Sequence, residues 1–235
     1  MNYFKLSSET KINIFGIKLY RLELTINCKW GKKGEKGGWV ESEKTPNGDA
    51  RVSGNAWVYG NAQVYGDARV SGDARVSGNA RVSGNARVSG DAWVYGDAQV
   101  YGDAWVYGNA QVYGDARVSG NARVSGNARV SGDAWVYGDA QVYGDARVYG
   151  DAQVYGDAWV YGDAWETSPL QIQGSRHFVN ECAKGILKIG CHEHPFNFWE
   201  KNFKEIGKEN RYSEKQISEY SLYINLAIKL KSINP

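Results

Sequence analysis

Residues 66–83 read Gly66-Asp67-Ala68-Arg69-Val70-Ser71, Gly72-Asp73-Ala74-Arg75-Val76-Ser77, Gly78-Asn79-Ala80-Arg81-Val82-Ser83. The unit Gly-[Asp/Asn]-Ala-[Arg/Trp/Gln]-Val-[Ser/Tyr] runs without a gap for nineteen full copies from Gly48 to Tyr161, with a partial copy from Gly162 to Thr167. Ala at the third place and Val at the fifth never vary. Two residues apart in an extended strand, they point to the same side. A small residue always paired with a β-branched one suits a narrow packed interior. The residues at the fourth and sixth places then point outward. Gly followed by Asp or Asn is turn chemistry, because Gly takes positive φ without steric cost and Asp or Asn tolerates the left-handed region. Each hexad therefore reads as a short strand and a corner.

Such a strand cannot bury its Ala/Val face alone. It must coil, so that successive turns stack about 4.8 Å apart and pair their backbones. The order Val-x-Gly-x-Ala-x resembles the hexapeptide signature of left-handed parallel β-helices. That resemblance implies a mainly β fold, a single-stranded left-handed parallel β-helix with three hexads per triangular coil. Twenty hexads make six to seven coils, a prism on the order of 30 Å long. The organisation expected is an N-terminal β cap and loop (1–47), the β-helix (48–167) and a C-terminal strand-plus-two-helix cap (168–235).

The outward positions are coupled. Arg goes with Ser in eight of nine cases, while Trp and Gln go with Tyr in every full copy. The classes come in runs of about one coil, so arginine belts and aromatic belts should alternate along the rod. The expected binding surface is Trp93, Tyr95, Trp105, Tyr107, Trp135, Tyr137, Trp159 and Tyr161, with the arginine belt Arg117, Arg123 and Arg129. Exposed aromatics at this density usually mark a partner. Three readings compete: structural ladders across coils, a macromolecular partner, and stacking on sugars or bases.

Formal net charge is +2. The array holds nine Arg against thirteen Asp, a net −4, and both flanks are mildly basic. This is a poor electrostatic footprint for nucleic acid. There is no apolar run long enough to cross a membrane and no leader-like start in Met1–Lys11. Three cysteines are a sparse, odd set that suits a reducing cytosol, so the expected location is cytoplasmic.

The flanks change period. Ile12 and Ile14, then Leu22, Leu24 and Ile26, alternate about Gly16 and predict a hairpin or a first irregular coil. Lys29–Lys44 is rich in Gly and Lys and reads as a loop. Val40 lies twelve residues before Val52, in register, so the solenoid should begin near Trp39. Beyond the array, Leu170, Ile172 and Phe178, then Ile186, Leu187 and Ile189, predict strands. Phe196, Trp199, Phe203 and Ile206 form one face of a helix that Gly207 can stop. Ser213 with Gln216 is a capping box for a second helix, with the apolar face Ile217, Tyr220, Ile224 and Ile228. Both flanks are expected to cap an otherwise open solenoid.

Gly37-Gly38-Trp39-Val40-Glu41, the array, Ser168-Pro169-Leu170-Gln171-Ile172-Gln173-Gly174-Ser175-Arg176 and Ile189-Gly190-Cys191 together resemble the hexapeptide-repeat β-solenoid proteins of phages, prophages and enteric bacteria. The resemblance implies architecture and a phage or mobile-element origin, and adds no chemistry. Many left-handed β-helices are acyltransferases and some are zinc carbonic anhydrases, which implies histidines projecting from the coils. Between Gly48 and Gly162 the array has no His, Cys, Lys or Glu, so no enzyme is expected. Cys182 and the run Cys191-His192-Glu193-His194, with His177, have zinc-ligand chemistry but no standard spacing. Stacked corner carboxylates could hold calcium, yet seven of twenty corners are Asn. No metal or cofactor is expected. The reading is a non-enzymatic scaffold whose partner is a host protein or another copy of itself. A carbohydrate-binding surface and an acyltransferase-like enzyme are the alternatives.

Overall fold

The computed structural model describes residues 3–28 and 31–233. An N-terminal hairpin of β1 (Phe4–Ile12) and β2 (Lys18–Leu24) leads to β3 (Lys36–Val40). Nineteen strands of two or three residues follow, one every six residues, from β4 (Arg51–Val52) to β22 (Trp159–Tyr161). Then come β23 (Ala164–Trp165), β24 (Gln171–Gln173), β25 (Phe178–Ala183), β26 (Ile186–Ile189), β27 (His192–Pro195), α1 (Phe196–Glu209) and α2 (Glu214–Ile233).

The short strands pair in parallel with the strand eighteen residues on, as in Arg69↔Arg87 and Arg87↔Trp105. Three hexads therefore make one coil, and the coils stack for about seven turns into three sheets of ten, seven and six strands, the first of which also includes the hairpin strands β1 and β2. We call these the first, second and third faces. In most hexads the corner and both outward residues donate to the next coil, as in Asn85 N to Gly102 O, Arg87 N to Ala104 O and Ser89 N to Val106 O, at 2.8–2.9 Å. The invariant Ala and Val fill the interior as one continuous core. The corner glycine has no substitute. At Gly102 φ is +72°, and a Cβ would stand 3.0 Å from Gly120 N in the next coil.

The solenoid begins where the register predicts, with Trp39↔Trp57 and Val40↔Val58 in parallel. Lys29–Lys44 is thus only partly a loop, since Lys36–Val40 is a strand that also pairs antiparallel with β2. The β-extended pair Gly37-Gly38 lets this strand press on the coil beneath, because a Cβ on Gly38 would fall 2.5 Å from Val52 Cγ1. The hairpin forms as expected, but Ile12 and Ile14 at its tip are exposed.

At the far end the register slips by one residue. Ala164 pairs with Arg147 and Trp165 with Val148. By the six-residue rule Trp165 would take an outward place. The slip turns it inward, where its indole closes the Ala/Val core against Phe178.

Strands β24–β27 form a separate antiparallel meander. Its core with the two helices is built from Val179, Leu187, Ile189, Phe196, Trp199, Phe203, Tyr220 and Ile224. The capping box of α2 is present: Ser213 N donates to Gln216 Oε1 at 2.9 Å and Gln216 N to Ser213 Oγ at 3.3 Å. Gly207 does not stop α1, which runs on to Glu209. It sits where a Cβ would meet Ile217 Cγ1 at 3.2 Å, so its role is close approach of α2. No helix among the described residues is long and apolar enough to cross a membrane.

Candidate functional site

The eighteen-residue coil decides which outward residues become neighbours. Arg117, Arg123 and Arg129 fall on the third, second and first faces, a belt around one coil. Trp93 lies on the first face, Trp105 and Trp159 on the second and Trp135 on the third. The eleven residues are therefore spread over three faces rather than gathered on one.

Along each face the belts interlock. Arg75 lies over Trp57 at 4.9 Å and over Trp93 at 4.7 Å, a guanidinium held between the indoles of the coils on either side. Arg87 and Arg123, one coil to either side, lie over the Trp105 ring at 4.7 and 5.7 Å. Lys11 extends the first-face stack toward the hairpin, 4.1 Å from both Trp39 and Trp57. Each such contact contributes about 0.5–1 kcal/mol at an exposed site. The tyrosines stack as well: Tyr95 on Tyr113 at 4.9 Å and Tyr137 on Tyr155 at 5.5 Å. Trp135 lies across the coil before it and donates its indole N–H to Ser119 Oγ at 3.2 Å, which buries that serine.

The corners form ladders of their own. Asn79 Nδ2 donates to Asp97 Oδ1, Asn85 to Asp103, Asn121 to Asp139 and Asn127 to Asp145, all at 2.9–3.0 Å. An amide above a carboxylate supplies a donor and avoids stacking two like charges, which gives the Asn/Asp mixture a physical reason.

One edge of the prism stands out. The corners Gly90-Asp91 and Gly108-Asn109 stack on each other between the second and first faces. Trp105 and Tyr107 lie just before this edge and Trp93 just after it. Trp93 and Trp105 remain 38% exposed and Tyr107 37%, despite their stacking partners.

The last pair has a different fate. Lys188 lies 4.0 Å over the Trp159 ring and pairs with Glu193 at 2.7 Å, and Tyr161 donates to the other Glu193 oxygen at 3.0 Å. Cys182 is within 3.8 Å of the same hydroxyl. Burial, then the neighbouring Cys182 and Glu193, push the Tyr161 hydroxyl well above its ordinary range, and burial raises the Cys182 thiol. This polar cluster joins the last coil to the meander. Beside it is a cleft of about 650 Å³, lined by Trp159, Arg176, His177, Lys188, Cys191, His192 and Tyr212 among others.

Two carboxamides, which sequence reasoning missed, also bond the last coil. Gln171 accepts from Tyr155 N at 2.7 Å and donates to Gln153 O at 2.9 Å. Asn180 donates to Trp159 O at 2.7 Å and accepts from Trp159 N at 3.4 Å. Each supplies the donor and acceptor that a next strand would supply.

The zinc-type residues do not converge. Cys182 bonds Ile186 O at one end of the β26–β27 hairpin, while Cys191 is in the turn at the other. His192 and His194 face Trp199. His177 lies against Gly190, where burial, then Arg176 and His192, hold its imidazole below the ordinary value. Among the described residues no three His, Cys, Asp or Glu side chains come together as a metal site.

The family model described as the YdcK β-solenoid repeat matches residues 62–78, 74–85, 80–96, 98–114, 110–124, 122–138, 140–153 and 152–167. Over these segments, somewhat less than half of the chain, the coils are similar to the YdcK β-solenoid repeat. The matched segments follow the hexads and end two residues beyond the inward Trp165, so the YdcK repeat tract and the stacked coils coincide over this range. No curated protein matches the chain.

Proposed function

We propose that this YdcK-type solenoid is a non-enzymatic scaffold that binds a protein partner along the edge formed by Trp93, Trp105 and Tyr107. The observation that carries the reading is the exposure of these three aromatics on one edge of a stiff rod. Aromatic side chains over arginines are the composition of interface hot spots. A rod whose coils are tied by two or three backbone bonds in most hexads holds them in place before binding, which lowers the ordering cost.

A sugar is less well suited. Sugars stack on indole faces, and those of Trp93 and Trp105 carry the guanidinium groups of Arg75, Arg87 and Arg123. The flanks resemble phage- and prophage-type solenoids, so the partner we have in view is a host protein of the cytoplasm, bound or inhibited. We take the winding as left-handed on the resemblance of the hexad order to the left-handed β-helix signature.

The test is capture from host lysate by the tagged chain and by Trp93→Ala/Trp105→Ala, with circular dichroism to confirm that the variant folds. A host protein retained by the parent and reduced at least about tenfold with the variant supports the reading. Equal retention by both, or none by either, overturns it.

A further inference from the structure

The N-terminal hairpin ends in a bare apolar tip. Ile12, Ile14 and Phe15 are 71%, 80% and 67% exposed. They lie where β1 turns into β2, the outermost strands of the first sheet. We infer that this tip docks on an anionic lipid surface, with the three apolar side chains entering the headgroup layer and the cations around them meeting acidic lipids. The inference stands independently of the protein partner proposed above.

Three observations favour a lipid surface. The first is the backbone. A segment that enters an apolar layer must satisfy its polar groups internally. The tip does so largely through one residue. Asn13 N donates to Ile17 O and Gly16 N to Asn13 O, both at 3.0 Å. Asn13 Oδ1 accepts from Phe15 N and Ile17 N, both at 2.9 Å. Asn13 Nδ2 is already buried without a partner among the described residues, so insertion takes no bond from it. A tip whose donors are engaged in this way has little to offer a polar or strand-like partner.

The second is charge. Residues 11–21 hold Lys11, Lys18 and Arg21 and no acidic residue. The hairpin carboxylates are paired elsewhere: Lys36 lies 3.3 Å from Glu9 and 2.7 Å from Glu23, and Lys5 lies 3.0 Å from Glu23. Lys11 stands over the Trp39 and Trp57 rings, Lys18 over Tyr20 and Arg21 over Trp39. Those rings carry no net charge, so the cations remain uncompensated by them. Burial, then Arg21 and Arg75, lower Lys11 to about 8 with Asp73 opposing, which leaves it charged at neutral pH. Cations beside an apolar tip match an acidic surface.

The third is the aromatic layer behind the tip. Phe15 lies 6.5 Å from the Tyr59 ring, and Tyr20, Trp39 and Trp57 underlie the cations. Trp and Tyr in that position suit the boundary between headgroups and water. Such a contact is peripheral and reversible, half-complete at about 0.1–1 mM lipid.

The test is sedimentation of the full chain with vesicles of phosphatidylcholine containing about 30% phosphatidylserine, and with phosphatidylcholine alone. The chain should bind the acidic vesicles at least about fivefold more tightly than the neutral ones. Raising salt from about 0.1 to about 0.5 M should weaken that binding severalfold. Ile14→Asp/Phe15→Asp should weaken it at least about tenfold with unchanged circular dichroism. Lys18→Glu, which leaves the apolar tip intact, should weaken it about threefold or more. Leu222→Asp, at an exposed leucine of α2, should leave it unchanged. No binding to acidic vesicles, equal binding to both compositions, or full binding by Ile14→Asp/Phe15→Asp would each overturn the proposal. So would self-association without lipid that Ile14→Asp/Phe15→Asp abolishes, which would assign the tip to a second copy.

Discussion

The solenoid and the C-terminal module reach stability by opposite routes. In the coils the contacts recur: the same Ala and Val, the same backbone ladder from coil to coil, the same corner glycine. No single residue dominates, because each has a counterpart six and eighteen residues away. In the module each contact occurs once. Trp199 is 1% exposed and donates its indole N–H to Leu187 O at 2.7 Å. The Tyr220 hydroxyl receives the N–H of Arg176 and His177 and donates to His177 O. A repeat array spreads its free energy over neighbouring interfaces, whereas a small globular core concentrates it in a few large side chains.

The sharpest way to break this contrast is Trp199→Ala. Loss of a buried Trp and its hydrogen bond should cost about 3–5 kcal/mol. The helical part of the circular dichroism should melt early while the β signal keeps its transition. A single shared transition would show that the two regions fold as one unit.

Within the coils, Gly102→Ala should cost about 1–3 kcal/mol, from the left-handed φ and the backbone of the next coil. Gly84→Ala should match it, since its Cβ also falls 3.0 Å from the next coil. Gly144, with φ +64° but nothing within 4 Å of its Cβ, should show the smaller conformational part alone. Denaturant titration of the three variants measures the difference. Equal losses at all three would mean that stacking is not what the glycine protects.

The smallest effect lies in the N-terminal hairpin. Burial, then Arg21 and Arg75, lower Lys11 from 10.5 to about 8. Between these values the unfolded chain holds a proton that the folded chain does not, so stability rises with pH across the window, and the penalty is fully present below about pH 8. The two indoles around Lys11 favour its charged form and keep the slope shallow. Lys11→Met should flatten the slope seen in denaturant titrations between those pH values. An unchanged slope would assign it to other groups.

How much was legible follows from the same contrast. The six-residue strand-and-corner unit and the first solenoid strand at Trp39–Val40 could be read directly, because a fixed period multiplies a weak local signal, whereas the eighteen-residue step came from the resemblance to hexapeptide β-helices. Both helices and the Ser213/Gln216 box were legible from spacing and capping chemistry. The stacks of Arg75 between Trp57 and Trp93, and of Trp105 between Arg87 and Arg123, follow once the coil length is known, although the belts alone suggested separation. Trp165 was not legible, since a one-residue slip leaves no mark in composition and yet reverses a side chain. Nor were Gln171 and Asn180, whose pairing with the last coil depends on where the meander folds back.

By itself, then, the sequence determined the repeating unit: which residues face in and where the chain turns. Local sterics and strand alternation act within six residues and need no distant partner. Only the tertiary structure decided how the ends join that rod, which aromatics share an edge, and that the Cys182 and Cys191 thiols stay apart. Those depend on contacts between residues far apart in the chain, each made once, and no period announces them.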